Sequence, residues 1–331
     1  MKLFHETIIK LNFPEGVSVP ADTEPSLKIC IISDIHYARW MKTKKLSAIL
    51  NKMRAKNPAY IFIPGDLVDN NEEIAAPTDE KRLLNFLGKL GKIAPVLIAP
   101  GNHDAYRSPR KDEGILENPE FITKVNALDD VFYLSDAVYE DEEIYVFGYN
   151  QKPRYYDSGK KSARFIRPID ENPNLMLADL DSFKTTRIFE KSHTGVVETT
   201  AARAPFINLP KDKLKFALVH SPARLDHPRI RKIFAEFDYL VSGHMHFGVI
   251  PPLIFEIWRG ERGLIAPGKK FFPKNARVSK KTLARKEIIS GAVTNFSKSA
   301  ARGLNALYPI YFTTLIFSKT PKTKIRRKYR R

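Results

Sequence analysis

Leu27-Lys-Ile-Cys-Ile-Ile-Ser33 runs straight into Asp34-Ile-His36. A short apolar run that ends in polar residues is the signature of a strand buried on both faces. Leu46, Ile49, Leu50 and Met53 then recur at helical spacing and predict an amphipathic helix over Thr43–Ala55. Ala59-Tyr-Ile-Phe-Ile-Pro64 reads as a second buried strand. Two strands joined by a helix-length crossover run parallel, so the unit is strand–helix–strand.

The pattern continues outward from that unit. Leu83, Leu84, Leu87 and Leu90 mark a helix over Lys81–Gly91, and Pro95–Ala99 is the next strand. Further strands are expected at Ile144–Gly148, Lys215–Val219 and Tyr239–Ser242, with a helix over Arg229–Glu236 before the last. Glu287–Gly291 and Tyr311–Ser318 read as closing strands. Alternation of this kind implies an α/β layered core. From Tyr149 to Pro210 the periodicity fails, while Tyr155, Tyr156, Phe165 and Phe183 are mixed with Lys152, Arg154, Lys160 and Arg167. A stretch this long is read first as an inserted lid over the site, with a poorly ordered excursion as the alternative. The organisation expected is one domain over 1–318, with 149–210 as the lid, and a solvated basic tail over 319–331.

Composition narrows the function classes. The single cysteine, Cys30, excludes a disulfide framework and a thiolate zinc cluster, so any metal must be held by His, Asp, Glu or Asn. Cys30 itself reads as an inert core thiol. No apolar run reaches the length of a membrane-spanning helix, and Met1–Pro14 carries no signal-peptide block. A cytoplasmic location is therefore the expectation. A net charge of +18 favours an anionic partner: a phosphorylated substrate, an acidic membrane surface or nucleic acid.

The polar motifs fall where the strands end. Ser33-Asp34-Ile35-His36 follows the first strand, Gly65-Asp66 the second and Gly101-Asn102-His103-Asp104 the third. His220 closes another strand, and Gly243-His244-Met245-His246 follows the last. In an open α/β sheet the loops at the carboxyl ends of parallel strands share one edge, so the five motifs are expected to converge there. Imidazole, carboxylate and carboxamide ligands suit manganese, iron, zinc or cobalt. Each motif alone is weak, but five in order at successive strand ends form a site.

That ordered set resembles the calcineurin-like metallophosphoesterase superfamily, whose D-x-H, G-D, G-N-H-D/E, H and G-H-x-H pattern is complete here. The resemblance spans Leu27–Val249 outside the inserted segment. It implies a layered β-sandwich core flanked by helices and two divalent transition-metal ions, with manganese as the first expectation. Carried over position by position, Asp34, His36 and His246 would bind one ion and Asn102, His220 and His244 the other, with Asp66 bridging. His103 would stand beside the phosphate as transition-state stabiliser or general acid, and Asp104 would orient its ring. Direct attack on phosphorus by hydroxide held between the metals is expected, with activity falling at high pH as His103 loses its proton.

Within the superfamily, the chain looks most like the bacterial branch of cell-envelope phosphoesterases, including relatives that cleave the pyrophosphate of UDP-2,3-diacylglucosamine. Gly248–Pro252, Gly263–Pro267 and Phe271–Pro273 carry that likeness. The first expectation is thus hydrolysis of a phosphodiester or pyrophosphate in a nucleotide or lipid-linked substrate, with peripheral contact on the inner membrane face. A nuclease of the same superfamily is the second expectation, and a non-catalytic binding module on the same fold the third.

Overall fold

The structure is a computed structural model describing residues 3–17, 26–104, 118–151, 177–178, 180–223, 225, 227–251, 261–266, 270–271, 273, 276–296, 299–319 and 324–330. Its strands are β1 (Phe4–Asn12), β2 (Ser26–Ile31), β3 (Tyr60–Pro64), β4 (Val96–Ala99), β5 (Val131–Tyr133), β6 (Ala137–Glu140), β7 (Ile144–Tyr149) and β8 (Thr186–Ser192). They continue as β9 (Gly195–Ala201), β10 (Leu214–Val219), β11 (Tyr239–Ser242), β12 (Ile265–Ala266), β13 (Lys270–Phe271), β14 (Glu287–Ile289), β15 (Ile310–Ser318) and β16 (Lys324–Arg330). The helices are α1 (Thr43–Lys56), α2 (Pro77–Gly91), α3 (Pro119–Asn126), α4 (Pro228–Ile233) and α5 (Lys280–Ala284).

Two seven-stranded sheets lie face to face, in the orders β16-β1-β15-β2-β3-β4-β5 and β14-β11-β10-β7-β6-β8-β9. Side-chain alternation builds the layers. Ile29 and Ile31 of β2, Tyr60 and Phe62 of β3, and Leu214, Phe216 and Leu218 of β10 fill the space between the sheets. The intervening Cys30, Ile61 and Ile63 meet Leu46, Ile49 and Met53 of α1 and Leu83, Leu87 and Leu90 of α2 on one outer face. Ala217 and Val219 meet Ile230 of α4 on the other. A slip of one residue would exchange these faces. Each large apolar side chain so displaced forfeits about 1.5–3 kcal/mol, so the register is firmly set.

The expected strand–helix–strand unit is present, with β2, β3, β4 and β5 all parallel. Helix α2 starts four residues before the expected Lys81, because Pro77 suits the first helical turn and Asp79 and Glu80 favour the positive end of the helix dipole. Helix α4 stops at Ile233, short of the expected Glu236.

Three stretches departed from expectation. Phe4–Asn12 gave little sign of a strand because it buries His5, Glu6 and Thr7 along with its apolar residues. Thr314 donates to the Glu6 carboxylate, which also pairs with Lys56. The chain end, read as a solvated tail, contains β16, antiparallel to β1 from Lys324 to Lys10 and from Arg330 to Phe4. The free edge of β1 supplied hydrogen-bond partners that charge alone could not reveal. Of the segment read as a lid, residues 152–176 lie outside the described residues, whereas Thr186–Ser192 and Gly195–Ala201 form a hairpin that extends the second sheet through β6. Leu177 and Leu180 pack into that sheet's outer core.

Cys30 is fully buried, 3.9 Å from the Thr314 hydroxyl. Burial pushes its thiol up to about 12. The folded protein should therefore leave a thiol-specific reagent such as Ellman's unconsumed at pH 8, with one equivalent reacting after denaturation.

Candidate metal centre

The five motifs do converge, although on two sheets rather than one sheet edge. Asp34 and His36 leave β2, Asp66 leaves β3 and Asn102–Asp104 leave β4 of the first sheet, while His220 and His244–His246 leave β10 and β11 of the second. Backbone hydrogen bonds stitch the loops together: Asp34 N–H to Gly65 (3.2 Å), His36 N–H to Asp66 (3.0 Å) and Gly243 N–H to His220 (3.0 Å). Across the gap between the sheets, the His244 N–H donates to both Asp34 carboxylate oxygens at 3.0 and 3.1 Å.

The loops are tightly wound. Asp34, His36, Asp66, His244 and His246 all have positive φ, between 44 and 61°. Such backbone is costly for residues other than glycine and persists only where the surroundings over-determine it. At Gly243 a Cβ would strike the Ser33 hydroxyl and Asp34 Oδ2, and at Gly101 it would strike Asp66. Those two glycines let neighbouring loops approach to within reach of one ion.

Asp66 is the hub. Its Oδ2 lies 3.1 Å from His220 Nε2 and 3.6 Å from His36 Nε2, and its Oδ1 accepts the His103 N–H at 2.8 Å. His246 Nε2 sits 3.3 Å from Asp34 Oδ1 and 3.2 Å from His36 Nε2. Among the described residues three donor sets follow, Asp34/His36/Asp66/His246, Asp66/His220/His244 and His36/Asp69/His103, each with its atoms within 4.8 Å of one another. Asp66 belongs to the first two, and His36 joins the first to the third. Asn102 adds a buried Oδ1 that has no hydrogen-bond partner among the described residues, as a metal ligand would.

The second layer of contacts aims the imidazoles. His220 Nδ1 is 2.7 Å from the Pro64 carbonyl oxygen and His246 Nδ1 is 3.0 Å from that of Asn295. A carbonyl only accepts, so Nδ1 carries the proton in each ring, and in the neutral form Nε2 presents a lone pair to the centre.

Orientation of the His103 ring, expected from Asp104, comes instead from Asp69. His103 Nδ1 donates to the Asp69 carbonyl oxygen at 2.6 Å and lies 3.6 Å from its carboxylate, which also stands 3.4 Å from His36 Nδ1. The Asp104 carboxylate folds back to accept the N–H groups of Gly101 (2.8 Å) and Val68 (2.9 Å), and so braces its own turn. Asp69 was overlooked in the sequence; its signal is a second carboxylate three residues past Asp66 in the same strand-end loop.

Charge is strongly redistributed here. Burial opposes ionisation of Asp66, yet the imidazoles of His220, His103 and His36 hold its carboxyl well below the usual range. Asp34, likewise buried, is held at about 2 chiefly by His246. Burial pulls His220 down, but Asp66 and Asp34 outweigh it and raise the imidazole to about 9. Burial and the neighbouring His220 lower His244 to about 3. Burial and the charge of Asp66 push Asp104 up to about 7.

A family model described as calcineurin-like phosphoesterase matches residues 27–248, the span that carries all five motifs. The chain belongs to the calcineurin-like phosphoesterase family. A curated member similar to it is an uncharacterized metallophosphoesterase of Campylobacter jejuni, Cj0846, 29% identical over 248 residues. That match covers 74% of this chain and 51% of the relative, so the chain spans about half the relative's length. Among solved structures, a dimetal phosphatase from Danio rerio aligns over 88% of this chain and 92% of its own at 11% identity, with a TM-score of 0.39. Purple acid phosphatase PPD1 from yellow lupin (Lupinus luteus) seeds aligns over 68% and 38%, at 11% identity and a TM-score of 0.36.

Two tests follow from this geometry. A metal ion must displace the proton that His220 holds below about 9. Loading metal-free protein with Mn²⁺ at pH 7.5 should therefore release about one proton or more, and the apparent affinity should rise with pH towards 9. Calorimetry in buffers of different ionisation enthalpy measures the release; identical heats in all buffers would count against His220 as a ligand. For Asp69→Asn, a loss of about 10- to 100-fold in Mn²⁺ affinity or turnover is expected with unchanged circular dichroism, read by metal titration of activity.

Proposed function

We propose that this chain is a binuclear metal-dependent phosphoesterase that hydrolyses a phosphodiester or pyrophosphate bond. The observation that carries the reading is the membership of Asp66 in two donor sets at once. In this assignment Asp34, His36 and His246 complete one position, Asn102, His220 and His244 the other, and Asp66 serves both. The ligands are nitrogen and oxygen only, which suits Mn²⁺ first and iron, zinc or cobalt next. Two divalent ions against the carboxylates of Asp34 and Asp66 leave a surplus of about two positive charges, which Asp69 trims and an anionic phosphoryl group can neutralise. When bound, such a pair supplies Lewis-acid charge to the phosphoryl oxygens and acidifies water towards neutral pH.

The chain's own residues set the approach and the proton. Among the site's charged side chains His103 is the exposed one, at 37%, against 0–9% for Asp34, His36, Asp66, Asp69, His220 and His246. Substrate therefore reaches the centre past this ring. With Nδ1 anchored on the Asp69 carbonyl, Nε2 is the atom left to donate to the departing oxygen, which gives His103 the general-acid role.

Hydrolysis of bis-p-nitrophenyl phosphate with Mn²⁺ and with chelator tests the reading. Activity should appear with Mn²⁺ and vanish with chelator. His103→Ala should lose about 10²- to 10⁴-fold in kcat, and Asp66→Ala should fall to background. Near-native turnover in either variant would overturn the assignment.

The net charge of +18 favours a second reading, a nuclease of the same family. Cleavage of single-stranded DNA or RNA that collapses between 50 and 200 mM salt would select it. The same charge suits peripheral contact with an anionic leaflet if the substrate is lipid-linked.

A further inference from the structure

Beside the centre lies a cavity of about 620 Å³ that the assigned chemistry does not use. It is walled by the loop after β2, by α1 and by the turn of helix at Ser299–Leu307, with Trp40, Met41, Lys45, Ala48, Arg302 and Tyr308 among its lining. Its size falls in the range of small-molecule sites, and its walls are mostly apolar.

The cavity shares a wall with the centre. Asn295, which lines it, is the residue whose carbonyl oxygen accepts the hydrogen bond from His246 Nδ1. Arg302, on the same lining, reaches to 4.0 Å from Asp69 Oδ2. The cavity and the centre thus adjoin through Asn295 and Arg302.

Two donors in the lining lack the partners their burial calls for. Lys45 is largely enclosed, and its ammonium donates at 2.8 Å to the hydroxyl of Thr294, a neutral group that itself donates to the Ile35 carbonyl. No carboxylate is paired with Lys45 among the described residues, and burial lowers the ammonium to about 8. Trp40 has a buried indole N–H with no acceptor among the described residues, while its ring carries the Arg302 guanidinium at 4.9 Å. A buried donor left unmade is costly, and a buried ammonium more so, unless a ligand completes it. Lys42 and Lys44 stand exposed at the rim and add charge that attracts anions.

We propose that this cavity is the subsite for the organic group of the phosphate ester, and that it selects an elongated apolar group bearing an oxygen acceptor for Lys45 and Trp40. The proposal rests on the reading of the neighbouring centre as the phosphate site. It makes the substrate an amphiphilic phosphate ester, with the apolar portion held by protein.

Calorimetry on metal-free and Mn²⁺-loaded protein decides it. The ligands are ethyl phosphate, octyl phosphate below its micellar concentration, and 1-octanoylglycerol 3-phosphate, which adds an ester carbonyl. Octyl phosphate should bind at least about 30-fold more tightly than ethyl phosphate, since several methylenes leave water. The octanoyl ligand should gain a further advantage that Lys45→Met removes. Ala48→Phe on α1 and, on the Ser299–Leu307 segment, Ala306→Phe should each abolish the chain-length gain while circular dichroism stays native. Equal affinity for the ethyl and octyl ligands overturns the proposal, as does a chain-length gain that survives both filling variants. Turnover of bis-p-nitrophenyl phosphate, measured in parallel, judges the catalytic reading separately. Turnover without chain-length dependence sinks the subsite alone, and chain-length-dependent binding without turnover sinks the catalytic reading alone.

Discussion

A single buried carboxylate, that of Asp66, organises the centre. It touches the ring nitrogens of His220 and His36 and accepts the backbone N–H of His103, so residues from three loops and both sheets are referred to one pair of oxygens. Such crowding of nitrogen and oxygen donors away from water is unfavourable unless positive charge is held among them. A proton can supply that charge: Asp66 and Asp34 outweigh burial and raise His220 to about 9, while burial and His220 drive the neighbouring His244 down to about 3. The Nε2 atoms of His36 and His246, 3.2 Å apart, show the same pressure: two bare lone pairs at that distance repel unless a cation or proton stands between them.

The scaffold bears the cost of this arrangement. Five site residues sit in left-handed backbone, each costing on the order of 1 kcal/mol or more. What fixes them is the rigidity of strands whose inward and outward residues are both buried, together with cross-loop hydrogen bonds such as His36 N–H to Asp66 and His244 N–H to Asp34. Two packed sheets suit the task better than one, because loops from facing strand ends close on the centre from both sides.

Adjacent chemistry uses the same walls for different ends. The loop from Asp34 to Met41 presents His36 to the centre on one side and Trp40 to the apolar cavity on the other, and Asn295 and Arg302 also face both ways. If the proposed subsite holds the organic group, these few residues would link its binding to that of the phosphate.

Much of this was legible along the chain. Apolar runs marked β2, β3, β4, β7, β10 and β11, helical spacing marked α1 and α2, and the five polar motifs named the residues that meet, because strand burial and donor chemistry are both written locally. Strands β1 and β16 were not, since a strand with buried polar residues and an edge strand rich in cations acquire their identity only from partners distant in sequence. The same holds for Asp69, whose neighbours His36 and His103 lie 33 and 34 positions away, and for Lys45, whose missing counter-charge is a property of the space around it. Local sequence was enough to name the donor atoms that gather into candidate metal-holding sets. Tertiary structure decided that two sheets rather than one bring them together, that Asp69 rather than Asp104 holds the His103 ring, and that a cavity opens beside them. Convergence and burial depend on distances that no local pattern encodes.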